Sequence, residues 1–244
     1  MTASRPPFPF EDFRRAGEEL SLALHEGHRY VLLTGESGCG KTTLLRELDR
    51  TLDHGRVRLF YFHLARLSAA GFVRVLARSL RAHVGYTGPE TVRAVTEVLL
   101  EEKSHALVVV DEAQMLPAET FAELRTLAET DLSERVPLTV LFSGLSELEE
   151  RLKTAALFPL WRRIPVRLRV GGLRDHEMRP FLVWHAGEPA AARFPDETLA
   201  LLFERGRGLP GLVRPAVDLL LRRISDGAIR PETALTLLDH FDRS

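Results

Sequence analysis

The chain has 244 residues, 45% hydrophobic and 27% charged, with a formal net charge of −1. That length can bury a sizeable core, as one large α/β domain or a domain with a small appendage. The near-zero charge excludes a polycation that holds nucleic acid indiscriminately, so any such contact must come from a local patch. A single cysteine, Cys39, excludes an internal disulfide. No apolar run approaches the ~20 residues that cross a bilayer, and the first residues lack the pattern of a secretory signal. A cytoplasmic protein without a membrane partner is expected. Positive charge is almost all arginine and asparagine is absent, which fits either a GC-rich genome or life at high temperature.

In chain order, residues 1–10 form a proline-rich entry whose Phe8 and Phe10 either pin the arm to the body or close over an adenine ring. A helix follows from Glu11 to about His25, and Glu26-Gly27 ends it. The apolar run at 30–34 is a strand, and it leads into Gly35-Glu36-Ser37-Gly38-Cys39-Gly40-Lys41-Thr42 and then a helix. Strand, glycine-rich loop and helix around G-x-x-x-x-G-K-[ST] form a phosphate-binding loop. Its glycines let backbone N–H groups and the positive end of the following helix face a pyrophosphate. Lys41 is the expected contact to the β and γ phosphates, and the Thr42 hydroxyl the expected ligand of Mg²⁺. Thr43, also a candidate contact of ATP, lies one position round the helix and reads as structural. Cys39 occupies a variable position of the loop.

Residues 57–63 read as a second strand and Ser68 to Val84 as a helix with an apolar face of Val73, Leu76, Ala77, Leu80 and Val84. The opposite face carries Arg74, Arg78 and Arg81, with Arg66 nearby. Such a stripe is either a solvated surface or a track for DNA phosphates. After a turn at 85–89 and a helix to about Lys103, the run Ala106 to Val110 ends in Asp111-Glu112. An uninterrupted aliphatic run suits a central parallel strand covered on both faces, with the acids at its carboxyl end where open α/β sheets place ligands. Following a phosphate-binding loop, Asp111 is expected to hold the Mg²⁺ and Glu112 to orient and deprotonate the attacking water. Gln114 either helps place that water or lies on the surface.

A helix from Pro117 to about Thr130, a buried strand at 137–143, a helix from Glu147 to about Ala156 and a short strand at 166–170 complete the α/β pattern. Gly171-Gly172 marks a boundary, beyond which only helices are expected, at about 175–186, 196–205, 212–225 and 231–241.

These motifs resemble the AAA+ ATPases, and within them the ExeA/TniB group of secretion-associated ATPases and transposon target-selection proteins. The resemblance rests on Gly35–Thr42, on Asp111-Glu112-Ala113-Gln114 with Leu116, on Glu123-Leu124-Arg125, on Leu145-Ser146-Glu147-Leu148 and on Arg163-Ile164. It implies a three-layer α/β sandwich with a five-stranded, mostly parallel sheet and a small all-helical C-terminal lid. The expected divisions are an arm and helix at 1–26, a nucleotide-binding domain at 27–172 and the lid at 173–244. It further implies that Ser143 is a first sensor of the γ-phosphate and that Arg163, with Arg162 second, is an arginine finger reaching a neighbouring subunit. Secretion-type relatives carry Gly-x-Pro-Arg where the lid meets the nucleotide; here the run is Gly208-Leu209-Pro210-Gly211, which leaves Arg214 as the candidate second sensor. The implied function is an ATP hydrolase that forms a homo-oligomeric ring or filament on duplex DNA and regulates transposition with a transposase or other protein partner. The alternatives are an ATPase switch acting on protein partners in secretion or pilus assembly, and a nucleotide-dependent scaffold. Neither a helix-turn-helix nor a nuclease site is evident, so another protein must cut and join DNA.

Overall fold

The computed structural model describes residues 5–63, 68–101, 104–129 and 137–241. These fall into two compact units, one comprising 16–35 and 44–169 and the other the residues up to Arg15 with 36–43 and everything from Val170 onward.

The first unit is an α/β layer structure. Its strands are β1 (Tyr30–Thr34), β2 (Val57–His63), β3 (His105–Asp111), β4 (Leu138–Gly144) and β5 (Val166–Arg169), hydrogen-bonded in the order β2-β3-β4-β1-β5. Every pairing is parallel. The helix α1 (Glu11–His25) precedes β1; parallel neighbours require crossovers, and these are supplied by α2 (Lys41–Thr51), α3 (Ala69–Ser79), α4 (Gly88–Glu101), α5 (Ala118–Glu129), α6 (Glu147–Leu152) and α7 (Phe158–Trp161). In β3, Val108 and Val110 join a core cluster with Phe72, Leu76, Val95, Leu99 and Phe121. The alternate residues Leu107 and Val109 are equally buried, so both faces are covered and the unbroken aliphatic run is explained. Burying such side chains contributes about 1.5–3 kcal/mol each.

Two helices differ from the sequence expectation. The helix expected at 68–84 stops at Ser79, because Arg81 turns left-handed at φ +58°. The Arg81 N–H bonds to the Arg78 carbonyl at 3.1 Å and the Ala82 N–H to the Ala77 carbonyl at 2.8 Å, a Schellman end with arginine where glycine is usual. The helix expected at 147–156 ends at Leu152, and α7 starts afresh at Phe158. Pro159 then sits in a first turn, where its missing N–H costs nothing; in one continuous helix it would have broken the ladder.

The second unit is helical beyond β5, with α8 (Met178–Ala186), α9 (Glu188–Ala191), α10 (Asp196–Gly206), α11 (Pro210–Arg223) and α12 (Pro231–Phe241). Its core includes Phe181, Phe194, Leu202, Val213, Val217 and Leu220. The N-terminal arm belongs to this unit. Phe8 packs edge-on against Phe181 at 5.6 Å, the Glu11 N–H bonds to Glu177 Oε1 at 2.7 Å, and Arg174 pairs with Glu11 at 2.8 Å. Phe8 is thus a pin for the arm.

Candidate functional site: a glycine loop and a carboxylate edge

The loop that leaves β1 is built on backbone. Gly38 and Gly40 have φ of +83° and +108°, conformations open to glycine and strained for other residues. Lys41, the first residue of α2, is 6% exposed and donates from Nζ to the Glu36 carbonyl at 3.0 Å. Cys39 is fully buried, and burial raises its thiol pKa against the lowering influence of Lys41. Gly35 is buried, Thr42 half-buried, and Ser37 and Thr43 exposed.

The same unit brings the start of α11 against the loop. The Gly211 N–H donates to the Gly38 carbonyl at 2.9 Å. A Cβ on Gly211 would lie 2.6 Å from the Gly38 Cα, so no side chain fits at 211 while this contact stands. Glycine at 211 is what permits this backbone approach. Arg207, left-handed at φ +52° at the end of α10, forms an ion pair with Glu36. Arg214, one turn along α11 from Gly211, is exposed.

The second candidate group lies at the carboxyl edge of the sheet. The register pairs His63 with Asp111, Leu33 with Ser143 and Thr34 with Gly144, so four neighbouring strands end together. Asp111 is 1% exposed. It accepts hydrogen bonds from the Tyr61 hydroxyl at 2.6 Å, the Ser143 hydroxyl at 2.8 Å and the Glu112 N–H at 3.1 Å. These donors stabilise the carboxylate in a site that burial would otherwise make unfavourable. The Tyr61 phenol is held protonated well above its usual range, first by burial and then by its bond to Asp111.

Glu112 has φ +54°, a left-handed conformation that is uncommon outside glycine and recurs at functional sites. Its Oε2 accepts from Gln114 Nε2 at 2.5 Å, and Gln114 Oε1 accepts from the Leu145 N–H at 3.2 Å. Arg151 donates to the Gln114 carbonyl at 2.5 Å and also to that of Leu116. Gln114 is therefore a tether between the catalytic candidate and the turn after β4.

Arg163 stands before β5, with Nε 3.1 Å from Glu129 and one terminal nitrogen donating to the Pro159 carbonyl at 2.8 Å. Arg162 is exposed. The basic stripe is shorter than expected: Arg74 and Arg78 are exposed on α3, but Arg81 lies beyond its end, and Arg66 is outside the described residues. Sequence reasoning missed Tyr61, Arg151 and Arg207. Tyr61 had one available signal, a tyrosine two residues before the end of a strand beside β3.

An AAA domain model matches residues 24–152, just over half of the chain. General secretion pathway protein A of Aeromonas hydrophila is 25% identical over 234 residues, covering 88% of this chain and 42% of that protein. Among solved structures, Aeropyrum pernix ORC2 in its ADPNP-ADP complexes is similar with a TM-score of 0.63 and 14% identity, over 93% of this chain and 66% of that one. Drosophila ORC bound to DNA is similar with a TM-score of 0.69 and 15% identity, over 99% and 64%. The chain thus spans well under half of the secretion protein and somewhat less than two thirds of the solved chains. At these identities the structural likeness shows the fold, and the fold is that of nucleotide-binding P-loop proteins. The chain belongs to the AAA domain family, as an ExeA-like AAA+ protein.

Proposed function

We propose that the chain hydrolyses Mg-ATP, assembles with further copies of itself in the ATP state, and binds duplex DNA as a regulator of transposition, selecting targets or activating a transposase. The observation that carries the ATP reading is the glycine loop with its buried Lys41, in a chain whose β3 delivers Asp111 and Glu112 to the carboxyl edge of the sheet. The loop amides and Lys41 bind the phosphates. Thr42 and Asp111 supply the hard oxygen donors that suit Mg²⁺. An ion held there would neutralise charge developing on the phosphates. Glu112 takes a proton from the attacking water, while Gln114 fixes the direction of its carboxylate. Ser143 joins Asp111 to the sensing of the γ-phosphate. Arg163 exchanges Glu129 for a neighbouring subunit's nucleotide, as trans-acting arginines do, at about 10³–10⁵ in rate. Residues 27–172 then act as the catalytic domain, and those from 173 as a lid with Arg214 available to nucleotide.

Exposed Arg74, Arg78 and Arg81 support the DNA reading, which also draws on the DNA-bound ORC relative. The likeness to a secretion protein favours a second reading, a switch acting on protein partners in secretion or pilus assembly. ATP hydrolysis measured with and without duplex DNA separates them. Wild type should be stimulated by DNA. Glu112→Gln should bind ATP and assemble but turn over at least about 100-fold more slowly, and Arg163→Ala should assemble poorly or hydrolyse slowly. Full activity in both variants refutes the assignments. Retention of a protein partner but no DNA by ATP-locked protein selects the second reading.

A further inference from the structure

The segment from His54 to Pro89 contains six arginines and not one aspartate or glutamate, in a chain whose net charge is −1. Its described part ends in a turn between α3 and α4 whose backbone is fixed at both sides. On one side is the Schellman end at Arg81. On the other, Glu90 Oε2 accepts from the N–H groups of Tyr86 at 2.9 Å and Thr87 at 3.2 Å, while the Glu90 N–H donates to Thr87 Oγ1 at 3.3 Å. This reciprocal cap occupies the nearest carboxylate. On that rigid turn Tyr86 is 98% exposed. A tyrosine ring left in water gains nothing from folding, and here it follows the exposed Arg74, Arg78 and Arg81 in sequence.

We infer that this turn is a duplex-DNA contact in which Arg78 and Arg81 neutralise phosphates and Tyr86 lays its ring against sugar and base edges. The inference rests on the DNA-binding reading above and adds a component that the arginines cannot supply. Guanidinium–phosphate contacts release counterions and weaken steeply with salt; an uncharged ring neutralises no phosphate and adds nothing to that slope. Arg74 and Arg78 are spaced about 6 Å along the helix, close to two base-pair rises of about 3.4 Å each, which suits two phosphates of one strand. Because Tyr86 packs against nothing and its backbone is held through Glu90, the ring can be removed without disturbing the fold.

The test is anisotropy of a labelled duplex of mixed sequence, with full-length protein, Mg²⁺ and a non-hydrolysable ATP analogue, across a salt series. Tyr86→Ala should weaken binding about tenfold at every salt concentration, with an unchanged salt slope, and Tyr86→Phe should restore it. Arg78→Ala, and Arg81→Gly, which suits the left-handed backbone, should each lower the slope by about 0.9. Thermal melting of each variant controls for folding. If the arginine variants weaken binding while Tyr86→Ala binds like wild type, the role of Tyr86 is overturned and the DNA reading survives. If wild type shows no salt-dependent binding, the DNA reading itself falls.

Discussion

The glycine loop and the carboxylate edge of β3 achieve order by opposite means. In the loop, main chain meets main chain: the Gly38 carbonyl receives the Gly211 N–H, and the approach leaves no room for a Cβ. At the edge, side chains orient side chains: Tyr61 and Ser143 hold Asp111, and Gln114 holds Glu112. A backbone-built loop keeps its shape under side-chain changes that leave the dihedrals and spacing intact, Lys41 being the one side chain asked to reach a ligand, and fails when volume is added. A side-chain-built site tolerates volume better but fails when a single hydroxyl or amide is lost.

That contrast can be broken at several points. Removing the loop's amine with Lys41→Ala should weaken ATP binding about 10- to 150-fold by equilibrium titration, the loss expected of charge-assisted hydrogen bonds. Glu112→Gln should leave that affinity within a few-fold of wild type. If the two variants lose affinity equally, the division of labour is wrong. Next in size, Gly211→Ala adds one methyl where the Gly38 Cα would lie at 2.6 Å. It should cost about 1–3 kcal/mol of stability in denaturant titration; a neutral result would mean that the α11 start does not sit against the loop in solution. Tyr61→Phe removes one donor to Asp111 and should cost about 1 kcal/mol. The sharper readout is a several-fold rise in the Mg²⁺ concentration for half-maximal hydrolysis with the ATP KM nearly unchanged, an effect that a purely structural role would not produce.

The smallest effect concerns Tyr30 on β1, whose hydroxyl donates to Glu129 at 3.0 Å. Burial first, and then the neighbouring Glu129, raise its phenol pKa far above the ordinary tyrosine value. The folded protein therefore keeps a proton that the unfolded chain releases above pH ~10. Its contribution is whole below that pH and is lost as pH rises towards the folded-state value. Tyr30→Phe should flatten the alkaline decline of the denaturation midpoint between about pH 10 and 11. An unchanged slope would show that Tyr30 does not drive it.

Much of the architecture was legible because it is written locally. The aliphatic run before Asp111 announces a doubly covered strand, and the spacing of glycines, Lys41 and Thr42 announces the loop. The end of α3 was not legible, since arginine takes the left-handed position where glycine would have signalled a stop. Nor was the partnership of Tyr61 with Asp111, fifty residues apart, which exists only because β2 and β3 are neighbours in register. Glycine at 211 was visible in the sequence, but its backbone approach to Gly38 was not, since no spacing rule encodes it.

By itself, then, the sequence determined the strand–glycine-loop–helix unit, the acidic end of β3 and the run of helices that follows β5. Each depends on dihedral preferences and hydrophobic periodicity that act over a few residues. Tertiary structure decided which hydroxyls hold Asp111, how Gln114 ties Glu112 and what approach glycine at 211 allows. Those depend on strand order and on packing between segments far apart in the chain, where the limiting quantity is a distance of a few ångströms and not the identity of a neighbour in sequence.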